Sequence, residues 1–112
     1  MSYSRAAKFE TQRALGFASI VAGYAAIGTE FYYPTRLLIV YNGTDALLQF
    51  SQDGANDNFV IPANGQVVVD IAANDLDGVP YFIPAKTLFY VKRIGTATSG
   101  SVYVMAVYGK DD

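Results

Sequence analysis

The chain alternates between short apolar runs and clusters of Gly, Pro, Asn and Asp. The pattern is clearest from Arg36 to Val69, RLLIVYNGTDALLQFSQDGANDNFVIPANGQVVV. Two apolar runs, Leu37 to Tyr41 and Ala46 to Phe50, flank Asn42-Gly43. Asn-Gly between such runs predicts a β-hairpin, because both residues tolerate the positive φ of a type I′ turn. A polar loop, Ser51 to Asn58, then opens onto Phe59-Val60-Ile61 and a second Asn-Gly, Asn64-Gly65. Strands are predicted over Arg36 to Tyr41, Ala46 to Ser51, Asn58 to Ile61, Gln66 to Ile71, Thr87 to Ile94 and Ser101 to Tyr108. Pro62, Pro80 and Pro84 fall between these runs, where a missing backbone donor costs least. Short strands with turn signals every ten residues or so predict an antiparallel sandwich or barrel. The polar loop Gly95 to Gly100 is expected to join the last two strands as a longer hairpin.

The final run has two apolar faces. Val102, Val104, Ala106 and Tyr108 fall on one, and Tyr103, Met105 and Val107 on the other. A sandwich strand needs only one. The second face is expected to pack against the N-terminal segment or a neighbouring subunit.

The N-terminal third is harder to read. Residues 1–13 are polar without a clear period and predict an extended arm or a short helix. Ala14 to Gly28 (ALGFASIVAGYAAIG) is apolar and follows a basic stretch, as in a signal peptide. Glu10 just before it, Gly16 and Gly23 within it, and Tyr24 argue against that reading. Its fifteen residues are also too few to span a bilayer as a helix. Phe17, Ile20, Val21, Tyr24 and Ile27 favour extended structure. Gly109 to Asp112 reads as a tail. The expected organisation is an arm over 1–13, one domain over 14–109 and a tail over 110–112.

Composition then narrows the chemistry. The 112 residues contain no cysteine and no histidine. Disulfides, Cys-His and Ser-His-Asp machinery, and the usual N and S ligands of zinc are therefore excluded in this chain. No P-loop or dinucleotide-binding glycine motif is present, and no cofactor is expected. Charged residues make up 16%, against roughly 25% in a typical domain. Nine tyrosines and seven phenylalanines accompany that low charge. Aromatic enrichment with charge depletion describes an interface core. A net charge of −2 and scattered basic residues give no stripe for nucleic acid, so no direct nucleic-acid binding is expected. The densest basic group, Arg5, Lys8 and Arg13, reads as part of a partner-binding arm.

Three motifs carry chemistry in other settings. Asp53, Asn56, Asp57 and Asn58 share an oxygen-rich loop, but their spacing is not that of an EF-hand, and such residues build turns. Asp70, Asp75 and Asp77 read as a turn around Asp77-Gly78 rather than as a glycosidase carboxylate pair. Asn42-Gly43-Thr44 matches a glycosylation sequon but overlaps the predicted turn. Of Lys92 and Arg93, one is expected to reach solvent and the other to pair at a rim or interface.

Several segments resemble a group of small virion structural proteins of tailed bacteriophages. They are Tyr24-Ala25-Ala26-Ile27-Gly28-Thr29, Tyr41-Asn42-Gly43-Thr44-Asp45, Phe50-Ser51-Gln52-Asp53-Gly54, Asn56-Asp57-Asn58-Phe59, Phe89-Tyr90-Val91-Lys92, Thr98-Ser99-Gly100-Ser101-Val102-Tyr103 and Val107-Tyr108-Gly109. The resemblance extends from about Arg13 to Gly109 and rests on turn and strand patterns. It implies a β-sandwich subunit with Ala14 to Thr29 as strand; together with the strand pattern and the polar N-terminus, the expected fold is all-β, an antiparallel β-sandwich (jelly-roll-like) with an N-terminal extended arm. It also implies a non-enzymatic subunit in the virion, docked in symmetric copies on the capsid surface or the head–tail neck. Partners would be major capsid, portal or neck proteins and copies of itself, with no membrane. Expected assembly contacts are Tyr3, Arg5, Lys8, Phe9, Arg13, Tyr32, Tyr33, Tyr103 and Met105. The rival expectation is a carbohydrate-binding or adhesion β-sandwich module, weakened for sugars by the lack of Trp.

Overall fold

The computed structural model describes residues 5–70 and 83–111. Among the described residues nine strands are formed: β1 (Arg5–Phe9), β2 (Arg13–Gly16), β3 (Ala25–Ala26), β4 (Leu37–Asn42), β5 (Leu48–Ser51), β6 (Phe59–Ile61), β7 (Gln66–Asp70), β8 (Tyr90–Arg93) and β9 (Ser101–Asp111). A 3-10 turn covers Phe17–Ser19. The six strands expected from Arg36 onward are all present, most with trimmed ends. Residues Tyr3, Ile71, Asp75, Asp77 and Pro80 lie outside the described residues.

The strands form two antiparallel sheets, one in the order β1–β9–β4–β7 with β2 also on β9, the other β3–β8–β5–β6. β1 and β2 share one edge of β9. Phe9 faces Val107 and Arg13 faces Val104. Three residues, Glu10 to Gln12, thus oppose two, Met105 and Ala106, as in a β-bulge. Counting β1 and β2 as one edge gives eight strand positions in two packed sheets, a jelly-roll sandwich. The expected arm is therefore neither free nor helical from Arg5 onward. It is an edge strand of the sandwich.

Side chains alternate as a sandwich demands. Leu38 and Val40 on β4 and Val102, Val104 and Ala106 on β9 meet Leu48 and Phe50 on β5, Ile61 on β6 and Val91 on β8. Ile20, Ile27, Phe31 and Phe89 complete the buried cluster. The apolar segment Ala14 to Gly28 is thus part of the domain. It supplies β2 to one sheet, β3 to the other, and Ile20 and Ile27 to the core.

The pairing of neighbours differs from the sequence expectation in two places. β4 and β5 do not form a hairpin, and neither do β8 and β9: in each pair the two strands lie in different sheets. Neither Asn42 nor Gly43 has the positive φ of a type I′ turn; among the described residues the non-glycine residues with positive φ are Asn64 and Lys86. Asn42 instead points inward, fully buried. Its Nδ2 donates to the carbonyls of Ala46 (2.8 Å), Ile61 (2.9 Å) and Pro62 (3.2 Å). Its Oδ1 accepts from Thr44 N (3.0 Å) and Thr44 Oγ1 (2.6 Å). One side chain thereby joins the β4–β5 crossing to the end of β6. The same burial keeps the sequon nitrogen out of reach in the folded chain.

The β8–β9 connection is pinned to the same corner. Asp45 accepts hydrogen bonds from Thr98 N (2.7 Å) and from the Thr98 hydroxyl. Gly43 N donates to Ser101 O at 2.9 Å. Gly100, at φ +88°, lies so close to Gly43 that any Cβ would collide with its carbonyl. Two glycines are needed because two backbones cross there. Among the described residues the long connection that does close a hairpin within one sheet is Gln52 to Asn58, between β5 and β6.

Candidate functional site

The outward faces of the two sheets differ in kind. On the β3–β8–β5–β6 sheet, Lys92 and Gln49 lie side by side in register. Lys92 Nζ pairs with Asp57 at 2.9 Å and sits 4.7 Å from the centre of the Tyr24 ring. Arg93 is exposed, as expected for one of the two adjacent cations. Tyr24 donates its hydroxyl proton to Asp57. Desolvation first, and the adjoining Asp57 carboxylate second, push the Tyr24 hydroxyl up to about 12. This is a solvated polar face.

The outward face of the β1–β9–β4–β7 sheet is apolar. Register places its central residues in three cross-strand rows. Phe9, Val107, Leu37 and Asp70 form the first row; Met105, Ile39 and Val68 the second; Ala14, Tyr103, Tyr41 and Gln66 the third. Only Asp70, at the β7 edge, carries charge in these rows. The Tyr41 and Tyr103 rings stack with centroids 6.1 Å apart and planes 18° from parallel. Phe9 is 72% exposed and Val68 is 54% exposed. Antiparallel sheets that face water on one side usually carry polar residues there. This sheet does not.

An aromatic cluster lies at the β1 end of the sheet, on the side of Tyr108 and away from Phe9. Glu10 accepts the backbone N–H groups of Tyr32 and Tyr33, both at 3.0 Å. The bonds hold a loop on which Tyr32 is 74% exposed. Tyr33 stacks on Tyr108 with centroids 4.0 Å apart. Desolvation, then the neighbouring Tyr33, raise the Tyr108 hydroxyl above its ordinary value.

The expected contact residues divide into three groups. Phe9, Tyr103 and Met105 lie on the apolar face; Tyr33, stacked on Tyr108, lies on the other side of the ladder from Phe9, and Tyr32 is exposed on the adjoining loop. Lys8 is exposed opposite Tyr108, on the other side of the ladder from Phe9. Arg5 pairs through its backbone with Asp111, while Tyr3 is outside the described residues. Arg13 is not an accessible contact. It is only 4% exposed and its donors are used internally, on Glu10, Thr29 O, Glu30 O and Thr11 O. Sequence reasoning missed Leu37, Ile39, Tyr41 and Val68. The signal was available: β4, like β9, is apolar at both parities.

A groove of about 420 Å³ is lined by Gln52, Asp53, Asn58, Lys86, Thr87 and Tyr90, among others. Its carboxylate is spent on its own loop. Asp53 accepts from Ala55 N (2.9 Å), Asn56 N (2.9 Å), Asn56 Nδ2 (2.7 Å) and Ser51 Oγ (2.8 Å). Among the described residues no three Asp or Glu side chains are grouped to share a metal ion. No helix among them is long and apolar enough to cross a membrane.

Those loop carboxylates give a pH prediction. Backbone N–H groups of Asn56 and Ala55 hold the Asp53 carboxyl well below its ordinary 3.8. The Thr98 hydroxyl and N–H lower Asp45, and the Tyr24 hydroxyl and Lys92 lower Asp57. Depressed carboxyl values mean that the unfolded chain binds more protons, so stability rises with pH. The contribution is complete above the unfolded value near 4 and is lost as pH falls below it. The melting temperature is expected to drop between about pH 5 and about pH 2, and less steeply in Asp53→Asn. Parallel profiles for the two proteins would show that Asp53 does not contribute.

Comparison with protein-family models, curated proteins and solved structures returns no match.

Proposed function

We propose that this chain is a non-enzymatic assembly subunit of a tailed-phage virion, docked in many symmetric copies on the capsid or the head–tail neck. The observation that carries the reading is the apolar outward face of the β1–β9–β4–β7 sheet. A face of stacked tyrosines, branched aliphatics and Met105, charged only at its rim, is built to be covered by protein. The phage assignment itself rests on the resemblance of the turn and strand segments. The jelly roll is compatible with it but does not choose, since capsid and lectin domains share that architecture.

A carbohydrate-binding role would fall to the groove beside Tyr90. Asp53 is engaged by its own loop there, and Gly54 packs against the Tyr90 ring. The assembly reading is therefore preferred.

The test is copy number in purified particles by quantitative mass spectrometry, for the natural chain and for Phe9→Asp. The natural chain is expected at a fixed stoichiometry, about a dozen copies for a neck position or hundreds for capsid decoration. Phe9→Asp should be incorporated at least about tenfold less. Deleting 1–13 would be uninformative, because it removes the buried Glu10 and Arg13. Absence of the natural chain from particles would overturn the assignment.

A further inference from the structure

We infer that Tyr33 and Tyr108 form a dityrosine site, at which a one-electron oxidant joins the two rings within a single chain. The inference is independent of the assembly reading, since these rings lie on the side of the ladder away from Phe9. Their centroids are 4.0 Å apart and their planes 10° from parallel, so carbons of the two rings are already in contact. The two hydroxyls also interact, which brings the neighbouring ortho carbons (Cε) of the two rings together. Both residues are held before any reaction. Glu10 accepts the Tyr33 backbone N–H at 3.0 Å, and Tyr108 is paired with Lys8 in the β1–β9 ladder. Positioning of this kind removes much of the entropic cost of joining two groups. The site is also reachable: Tyr33 is 42% exposed, Tyr108 is half-buried, and Lys8 opposite it is exposed.

Hydrogen peroxide, acting through a haem peroxidase, is the oxidant class required. Each phenol gives up one electron and its hydroxyl proton and becomes a neutral phenoxyl radical. Unpaired density is high at the ortho carbons, and the Cε–Cε bond forms along the ring normals, the direction in which stacked rings face each other. Each joined carbon then loses its hydrogen as a proton while its phenolic oxygen regains one, and both rings become aromatic again. The net loss is two hydrogen atoms, which turn one peroxide into two water molecules. The new bond ties the loop after Phe31 to β9 just beyond Val107, where its pairing with β4 ends. Among the described residues, β9 from Tyr108 onward pairs with β1 alone, and a two-stranded ribbon is marginal by itself. A cross-link there closes a long stretch of chain and stabilises the fold as a disulfide does.

The experiment treats the full chain, dilute, with peroxidase and limiting hydrogen peroxide, and reads dityrosine fluorescence, intact mass and cross-linked peptides. A monomer lighter by two hydrogen atoms is expected, with Tyr33 joined to Tyr108. Its melting temperature should rise by about 5 °C or more. Tyr33→Phe and Tyr108→Phe, which keep both rings, should each abolish that product, while Tyr41→Phe leaves it unchanged. Tyr41 and Tyr103, with centroids 6.1 Å apart, should couple at least about tenfold less. In urea the selectivity among the nine tyrosines should vanish. Cross-linking mainly between chains through the exposed Tyr32, coupling of Tyr41 to Tyr103 first, or an equal yield of the Tyr33–Tyr108 product from unfolded chain overturns the inference. A cross-linked monomer with an unchanged melting temperature would overturn the stabilising role of the bond.

Discussion

Asn42→Leu is expected to be among the most damaging single substitutions in this protein. The side chain is fully buried and makes five hydrogen bonds, three as donor to main-chain carbonyls and two as acceptor from Thr44. Leucine keeps the branched outline, is bulkier, and makes none of them. Thr44 N and the Ile61 and Pro62 carbonyls would lose this partner, and the Thr44 hydroxyl would keep only its longer bond to the Ala46 carbonyl (3.3 Å). An unsatisfied buried polar group costs about 1–3 kcal/mol. Even with partial relaxation, the loss should exceed about 4 kcal/mol, a large part of the about 5–15 kcal/mol that a domain possesses. Thr44→Val removes only one donor and should cost about 1–2 kcal/mol. Urea unfolding midpoints separate the two. A loss under about 1 kcal/mol for Asn42→Leu would show that the crossing does not depend on this hub.

The same residue marks the limit of what the sequence could reveal. The strands of the C-terminal two thirds were legible because apolar runs and turn residues alternate there. Their partners were not. Asn42-Gly43, Asn64-Gly65 and Gly95 to Gly100 all look like hairpin punctuation, yet each connection passes from one sheet to the other. A turn residue reports that the chain bends, not which layer it enters next. The choice is made by bonds between distant residues: Asn42 to Ile61 and Pro62, and Asp45 to Thr98, fifty-three positions apart. The apolar second face of β9 was legible by parity. Its extension across β4 and β7 needed the register, which local pattern does not supply. Arg13 was misplaced for the same reason. Without register, nothing shows that it lies opposite the inward Val104.

Arg13 and Glu10 carry the second large effect. They meet at 3.2 Å, with side chains 4% and 2% exposed. The guanidinium also bonds Thr29 O (3.0 Å) and Glu30 O (2.7 Å) and lies 4.7 Å from the Phe31 ring centre. The carboxylate holds Tyr32 N and Tyr33 N. The pair thus ties the bulge between β1 and β2 to the loop that presents the exposed tyrosines. Removing one member of a buried ion pair typically costs about 3–5 kcal/mol, because the other charge is left uncompensated. Arg13→Met and Glu10→Leu should each fall in that range. The double variant should cost clearly less than their sum, with a coupling of at least about 1 kcal/mol. Arg13→Lys should not rescue, since one ammonium cannot reproduce the planar fork that reaches Glu10, Thr29 and Glu30 together. Hydrogen exchange gives a local readout that a general loss of stability would not. In Glu10→Gln the Tyr32 and Tyr33 amides should exchange faster, while the amide of Val104, deep in β9, changes little. Equal acceleration at all three sites would show that Glu10 stabilises the sandwich as a whole and does not hold the tyrosine loop.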